Sequence, residues 1–176
     1  MRLVFLDTET TGFNRSRNGG ICDGHRIIEI GCIEMVDGEL TGREFHTYIN
    51  PKIKIDSKAT EIHGLKDEFL KNKPSFRSIA PEFIRFISGA VIVIHNAPFD
   101  ISFIDKELKM LPKKLRPNTT FRYIDTLQMA RERFPEMKNT LDALGNDLGI
   151  SSEKRIHGAL DDAKLLAKVY STLMST

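Results

Sequence analysis

Leu3-Val4-Phe5-Leu6-Asp7-Thr8-Glu9-Thr10-Thr11-Gly12 is the stretch around which this chain is organised. Its first four residues are a short apolar run with the length and composition of a buried strand, and residues 1–6 are predicted to form one. In a strand, residues two apart point to the same face. Asp7 and Glu9 therefore present two carboxylates side by side, where the strand is expected to meet its loop. Two carboxylates a few ångströms apart repel, and one is pushed towards its protonated form. A divalent cation removes that penalty, and hard oxygen donors suit magnesium or manganese. Alone, the stretch reads equally well as a solvated strand end followed by a Thr-Gly turn.

Outward from this stretch, apolar and polar segments alternate. Residues 13–25 are polar and Gly-rich (Asn14, Asn18, Gly19, Gly20, Gly24) and read as a loop. Residues 26–36 read as a second strand, and Asp37-Gly38 as a hairpin turn leading to a third strand through Phe45, Thr47, Tyr48 and Ile49. Pro51 ends it. After a mixed segment at 57–73, Phe76, Ile79, Ala80, Phe83, Ile84 and Ile87 recur at helical spacing, with Ser75 as N-cap and Gly89 as C-cap. Pro81 should kink that helix or mark its first turn. Ala90-Val91-Ile92-Val93-Ile94 is continuously apolar, as a strand covered on both faces should be. It delivers His95-Asn96-Ala97-Pro98-Phe99-Asp100. A helix over 99–111, a basic loop over 112–121, a short strand at Tyr123-Ile124, a helix from Asp125 to about Phe134, a short helix over 140–148 and a last helix over 158–173 complete the pattern. Three strands followed by alternating strands and helices predict one mixed α/β sheet of five strands flanked by helices. In such sheets, sites lie at strand ends.

The 176 residues amount to one domain, expected to span 1–176. No apolar run reaches the roughly 18 residues that cross a bilayer, and no membrane is expected. Cys22 and Cys32 have neither metal-site nor redox spacing. The first strand starts at once, without a leader-like segment, and a cytoplasmic location is expected. A net charge of +2 is too mild to establish a nucleic-acid partner, although Lys and Arg cluster at 106–116 and 131–138.

Read singly, the remaining polar residues have ordinary explanations. Asp100 can be a helix N-terminal acid favoured by the dipole. His157 can be a surface or a satisfied core histidine, and Asp161 and Asp162 can be first-turn acids. Taken together, Asp7-Thr-Glu9-Thr-Thr-Gly, His95-Asn-Ala-Pro-Phe99-Asp100 and His157-Gly-Ala-Leu-Asp-Asp162 resemble the three motifs of the DEDDh family of 3′–5′ exonucleases, down to the His-x4-Asp spacing. The likeness is greatest to the proofreading exonucleases of bacterial replicative polymerases. It extends through His25-Arg-Ile-Ile-Glu-Ile-Gly31, Ile62-His-Gly-Leu65, Asp67-Glu-Phe69 and Leu160 to Tyr170.

The resemblance implies an RNase H-like fold and two divalent cations, Mg2+ or Mn2+, held by Asp7, Glu9, Asp100 and Asp162, with His157 as general base. It implies Thr8, Thr10 and Thr11 beside the terminal nucleotide, His63 and Phe99 against its sugar or base, and His95 and Asn96 orienting their loop; ordinary core packing of its helix is the other reading of Phe99. Asp125 is expected either to be structural or to stand behind the metal ligands. The implied substrate is a single-stranded or frayed DNA 3′ end. The implied partner is the polymerase III alpha subunit, should a C-terminal tail extend beyond this chain. RNA 3′ trimming, or a non-catalytic module that grips nucleic acid or a polymerase, are the alternatives. Asp162 lies three, four and seven residues before Leu165, Leu166 and Val169, so helical periodicity puts Asp162, rather than Asp161, on the buried face.

Overall fold

In a computed structural model, residues 1–14, 16, 19–117, 121–150 and 157–175 are described. Parts of the loops expected at 13–25 (Asn18 included) and 112–121 fall outside these residues.

Strand β1 (Arg2–Thr10) is the centre of a five-stranded sheet with β2 (Ile27–Val36), β3 (Glu39–Tyr48), β4 (Val91–Ile94) and β5 (Arg122–Asp125). The order is β3-β2-β1-β4-β5. The first three strands pair antiparallel, and β4 and β5 add parallel to β1. Asp37 and Gly38 both adopt positive φ, 51° and 91°, as the tight β2–β3 hairpin requires. The five expected strands are present. The first runs four residues further than the apolar run suggests, because β2 continues to pair with it: Asp7 faces Gly31 and Glu9 faces Glu29. The two acids thus sit inside a strand, where hydrogen bonding fixes their backbone.

Helices α1 (Ser57–His63), α2 (Asp67–Leu70) and α3 (Phe76–Ile87) precede β4; α4 (Ala97–Lys109) follows it. Helices α5 (Thr126–Arg133), α6 (Leu141–Asp147) and α7 (Ala159–Ser175) follow β5. Pro81 lies in the sixth position of α3 rather than in its first turn. No helix among the described residues is long and apolar enough to cross a membrane.

The pleat of β1 sorts its side chains between two cores. Val4 and Leu6 pack with Phe83, Ile87, Phe103 and Ile104 from α3 and α4. Leu3 and Phe5 pack with Ile33, Met35 and, from α7, Leu166, Ala167 and Tyr170. By the same alternation Asp7 and Glu9 belong to the α7 face and Thr8 to the α4 face.

Gly31 sets how closely α7 approaches. A Cβ built there would lie 2.2 Å from the Leu160 nitrogen and 2.3 Å from the Ala159 carbonyl carbon. The start of α7 therefore rests on β2 with no room for a side chain, beside the strand position that faces Asp7. Gly31→Ala must lift this end of α7. It should lower stability by roughly 1–3 kcal/mol, as overpacking does, in a denaturant titration followed by circular dichroism. An unchanged midpoint would show that the helix shifts at no cost.

Candidate active site

Four carboxylates and a histidine converge where β1, α4 and α7 meet. Asp100 lies in the first turn of α4 and is 3% exposed. The Thr8 backbone N–H (3.1 Å) and hydroxyl (2.6 Å) both donate to its Oδ1. Asp162 lies in the first turn of α7 and is 4% exposed, whereas Asp161 is exposed. The helical register read from the sequence is therefore the one observed. One ligand atom each from Glu9, His157 and Asp162 falls within a 4.8 Å cluster. His157 brings Nδ1 to 3.0 Å from the Asp162 Oδ2 and Nε2 to 3.3 Å from the Asp142 Oδ2.

Burial and mutual repulsion hold these acids away from their ordinary ionisation. Asp7 is raised well above the usual carboxylate range, first by burial and then by Asp100, Asp162, Glu9 and Glu29. Burial, then Asp162 and Glu29, push Glu9 up to about 8, although His157 opposes them. Burial raises Asp100 to about 7 against the two Thr8 hydrogen bonds. His157 is raised, chiefly by its bond to Asp162. Behind Glu9 stands the buried Glu29, which takes a 2.7 Å contact from the His46 Nε2 and is also stabilised by the Ala159 N–H at the head of α7.

A pocket of about 220 Å³ opens beside the acids, lined by Thr8, Glu9, Thr10, Ile62, His63 and Phe99, among others. The hydroxyls of the three threonines are engaged within the protein. Thr8 holds Asp100, Thr10 donates to the Gly12 carbonyl (3.0 Å), and Thr11 accepts from the Arg26 N–H (3.0 Å). His63 is buried, and its Nδ1 accepts from the Leu65 N–H at 3.0 Å. Burial lowers its pKa, with the nearby His157 acting the same way and the Thr10 carbonyl opposing. Phe99 meets Phe13 edge-on at 5.8 Å and Phe103 at 5.1 Å.

His95 lies apart from the acids' own contacts. Its ring bridges the Thr126 hydroxyl and the Asn139 carbonyl, each at 2.9 Å. Asn96 takes the left-handed conformation (φ 67°) just before α4, and its N–H donates to Asp125. Asp125 also caps α5 through the Leu127 N–H, the structural one of the two roles expected of it. Glu29, Asp142 and Phe13 were not singled out from sequence. For Glu29 a signal existed, since a carboxylate inside the apolar run Ile27–Ile30 needs a buried partner.

The model of the exonuclease family (RNase T) matches residues 4–170. This chain belongs to that exonuclease family. The exonuclease is 49% identical over 173 residues to the DNA polymerase III subunit epsilon of Pasteurella multocida, covering 98% of this chain and 68% of that one. The subunit epsilon of Escherichia coli is 47% identical over 171 residues, covering 96% and 70%. Among solved structures, the nuclease domain of 3′hExo, a DEDDh family member bound to rAMP, superimposes with a TM-score of 0.77 at 16% identity, over 99% of this chain and 92% of that one. Escherichia coli exonuclease I in complex with a dT13 oligonucleotide gives 0.80 at 16% identity, over 99% and 41%. These likenesses show the shared fold.

Exonucleases of the DEDDh type use divalent metal ions, and the donor set here fits such ions. It is rich in hard carboxylate oxygens, and its members repel one another when no cation lies between them. The sign of the coupling to stability follows from the raised values. A carboxyl group whose folded pKa exceeds its unfolded value stabilises the fold at low pH and loses that contribution as pH rises through the folded pKa. With chelator present, the thermal midpoint should therefore decline between pH about 4 and about 8, the value of Glu9. Added magnesium or manganese should reduce the decline. A metal-free profile without this loss, by scanning calorimetry, would contradict the assignment.

Proposed function

We propose that this chain is a 3′–5′ exodeoxyribonuclease that releases nucleoside 5′-monophosphates from single-stranded or frayed DNA 3′ ends. Residues 1–176 act as one exonuclease domain, in the cytoplasm. Its work is proofreading during replication, as the epsilon subunit of DNA polymerase III, with the alpha subunit as partner. The observation that carries this reading is the convergence of Asp7, Glu9, Asp100, Asp162 and His157 beside a pocket able to take a terminal nucleoside. The identity with subunits named epsilon supports the replicative assignment.

Asp7, Glu9 and Asp162 would hold one divalent cation, magnesium or manganese, and Asp100 would share a second with Asp7. When bound, the two ions supply Lewis-acid stabilisation of an attacking water and a departing 3′-oxygen. The chain's own residues do the rest. Thr8 fixes the Asp100 carboxylate by two hydrogen bonds, so its free oxygen has a defined direction. His157, half-exposed at the lip of the site, takes the proton of the attacking water, a task suited to an imidazole. Its Nδ1 bond to Asp162 ties the base to the element that carries a metal ligand. Ile62, His63 and Phe99 enclose the terminal base and sugar, and Thr10 and Thr11 shape the backbone floor beneath them.

Two experiments test this reading. The first compares a mismatched DNA primer-template with a matching RNA 3′ end. Stepwise loss of the mismatched deoxynucleotide is expected, abolished by chelator. A marked preference for RNA would reassign the substrate, and no turnover on either would favour a binding module. The second sets Asp162→Asn beside Asp161→Asn at saturating manganese. Asp162→Asn should reduce the rate by orders of magnitude. Asp161→Asn should leave it nearly unchanged, with a stability cost of about 0.3–1 kcal/mol for a helix-dipole charge. The reverse ranking would remove Asp162 from the metal site.

A further inference from the structure

The head of α7 carries two members of the acid cluster, Asp162 in its first turn and His157 just before it. Its seat on the sheet therefore fixes how far both stand from Glu9. We infer that Glu29 on β2 and His46 on β3 are the positioning residues that set this seat. The inference rests on the metal-dependent nuclease reading above and gives part of that work to two residues outside the proposed ligand set.

An α-helix begins with N–H groups that its own turns cannot satisfy. A Ser, Thr, Asp or Asn at the N-cap commonly accepts one of them. The residue before Ala159 is Gly158, which has no side chain to do so. The Glu29 carboxylate takes that place from across the sheet and accepts from the Ala159 N–H. The helix dipole also favours an acid at this end. The first bond within the helix, from the Asp162 N–H to the Gly158 carbonyl at 2.9 Å, leads directly to the proposed ligand. A shift of Ala159 thus moves Asp162 and His157 together.

Glu29 holds this place against repulsion. It is buried, and in the β1–β2 register it lies directly opposite Glu9. Like charges directly opposite one another destabilise a strand pair. His46 offsets this from the other side. Its Nε2 lies 2.7 Å from the Glu29 Oε1, and its ring stands edge-on to Tyr48 at 5.0 Å. The β2–β3 register brings these groups together, because His46 pairs with Gly31 and Tyr48 with Glu29.

Glu29 and Gly31 are two positions apart and so share one face of β2, the face on which α7 rests. Gly31 admits the helix closely, and Glu29 holds it there. Lys164 and Glu44, 2.9 Å apart, add a second tie between α7 and β3, but an exposed one of the kind that contributes little. Strand β3 is an edge of the sheet and supplies none of the proposed ligands. Through His46 and Glu29 it still reaches the site in two steps.

The test compares His46→Ala, His46→Gln, Glu29→Gln and Glu29→Ala with the wild type. Manganese binding without substrate is read from the free-ion signal in electron paramagnetic resonance. Hydrolysis of the p-nitrophenyl ester of thymidine 5′-monophosphate is followed at saturating manganese, and the thermal midpoint is recorded. His46→Ala should raise the manganese Kd about tenfold and lower kcat about tenfold, the scale on which residues behind metal ligands act, while KM stays within about twofold. The loss of kcat persists at saturation because His157 moves with the helix even when the ions are in place. His46→Gln brings an amide N–H near the place of Nε2 and should recover most of both losses. Glu29→Gln keeps an acceptor for the Ala159 N–H and should stay within about threefold of the wild type, whereas Glu29→Ala should lose at least as much as His46→Ala. Should Glu29→Ala fail to fold, the exposed His46 decides the matter. A lowered thermal midpoint with Kd and kcat unchanged would reduce the pair to a structural tie and overturn the inference. So would equal losses in His46→Ala and His46→Gln. Wild-type protein that binds no manganese would instead refute the metal-site reading itself.

Discussion

Like charges gathered out of water are the constraint to which this structure answers. Asp7, Glu9, Asp100 and Asp162 share one partly enclosed volume, with Glu29 behind them. Burial and repulsion act in the same direction on Asp7, Glu9 and Asp100, and each is driven towards its protonated form. Once the pH passes these raised values, a chain gains nothing in stability from such an arrangement. Its rationale is chemical, because a site that disfavours its own ionised state has the most to gain from a cation.

The fold meets this constraint by making the backbone rigid wherever an acid is attached. Asp7 and Glu9 are held in the central strand, paired on both sides over part of its length. Asp100 is secured by Thr8 from the opposite face of that strand. Asp162 arrives on α7, whose first turn rests directly on the glycine facing Asp7. The pleat of β1 is what allows this. Odd-numbered positions reach α7 and even-numbered ones reach α4, so one strand addresses ligands on two helices.

Much of this was legible in the sequence, for identifiable reasons. Alternation along residues 3–9 placed Asp7 and Glu9 on one face, and helical periodicity in 158–173 separated Asp162 from Asp161. Both are local repeats, and a sequence displays local repeats directly. The end of β1 differs from the sequence reading because hydrophobicity falls at Asp7, while the strand persists through its pairing with Gly31 and Glu29, each twenty or more positions from its partner. The threonines were placed beside the terminal nucleotide, but a sequence does not reveal that their hydroxyls serve Asp100, Gly12 and Arg26. The partners of His95 and the part played by Asp142 emerge only from tertiary contacts. The His95 bond to Asn139 spans 44 positions, and Asp142, in the first turn of α6, meets the His157 Nε2 at 3.3 Å.

Manganese titration by isothermal calorimetry, repeated in buffers of different ionisation enthalpy near neutral pH, tests the central claim most directly. The account requires two ions per chain and a net release of protons on binding, because raised carboxyl groups must give up protons to become ligands. It also requires that Asp7→Asn weaken both ions. Absence of metal binding, or binding with no change in bound protons, would contradict it.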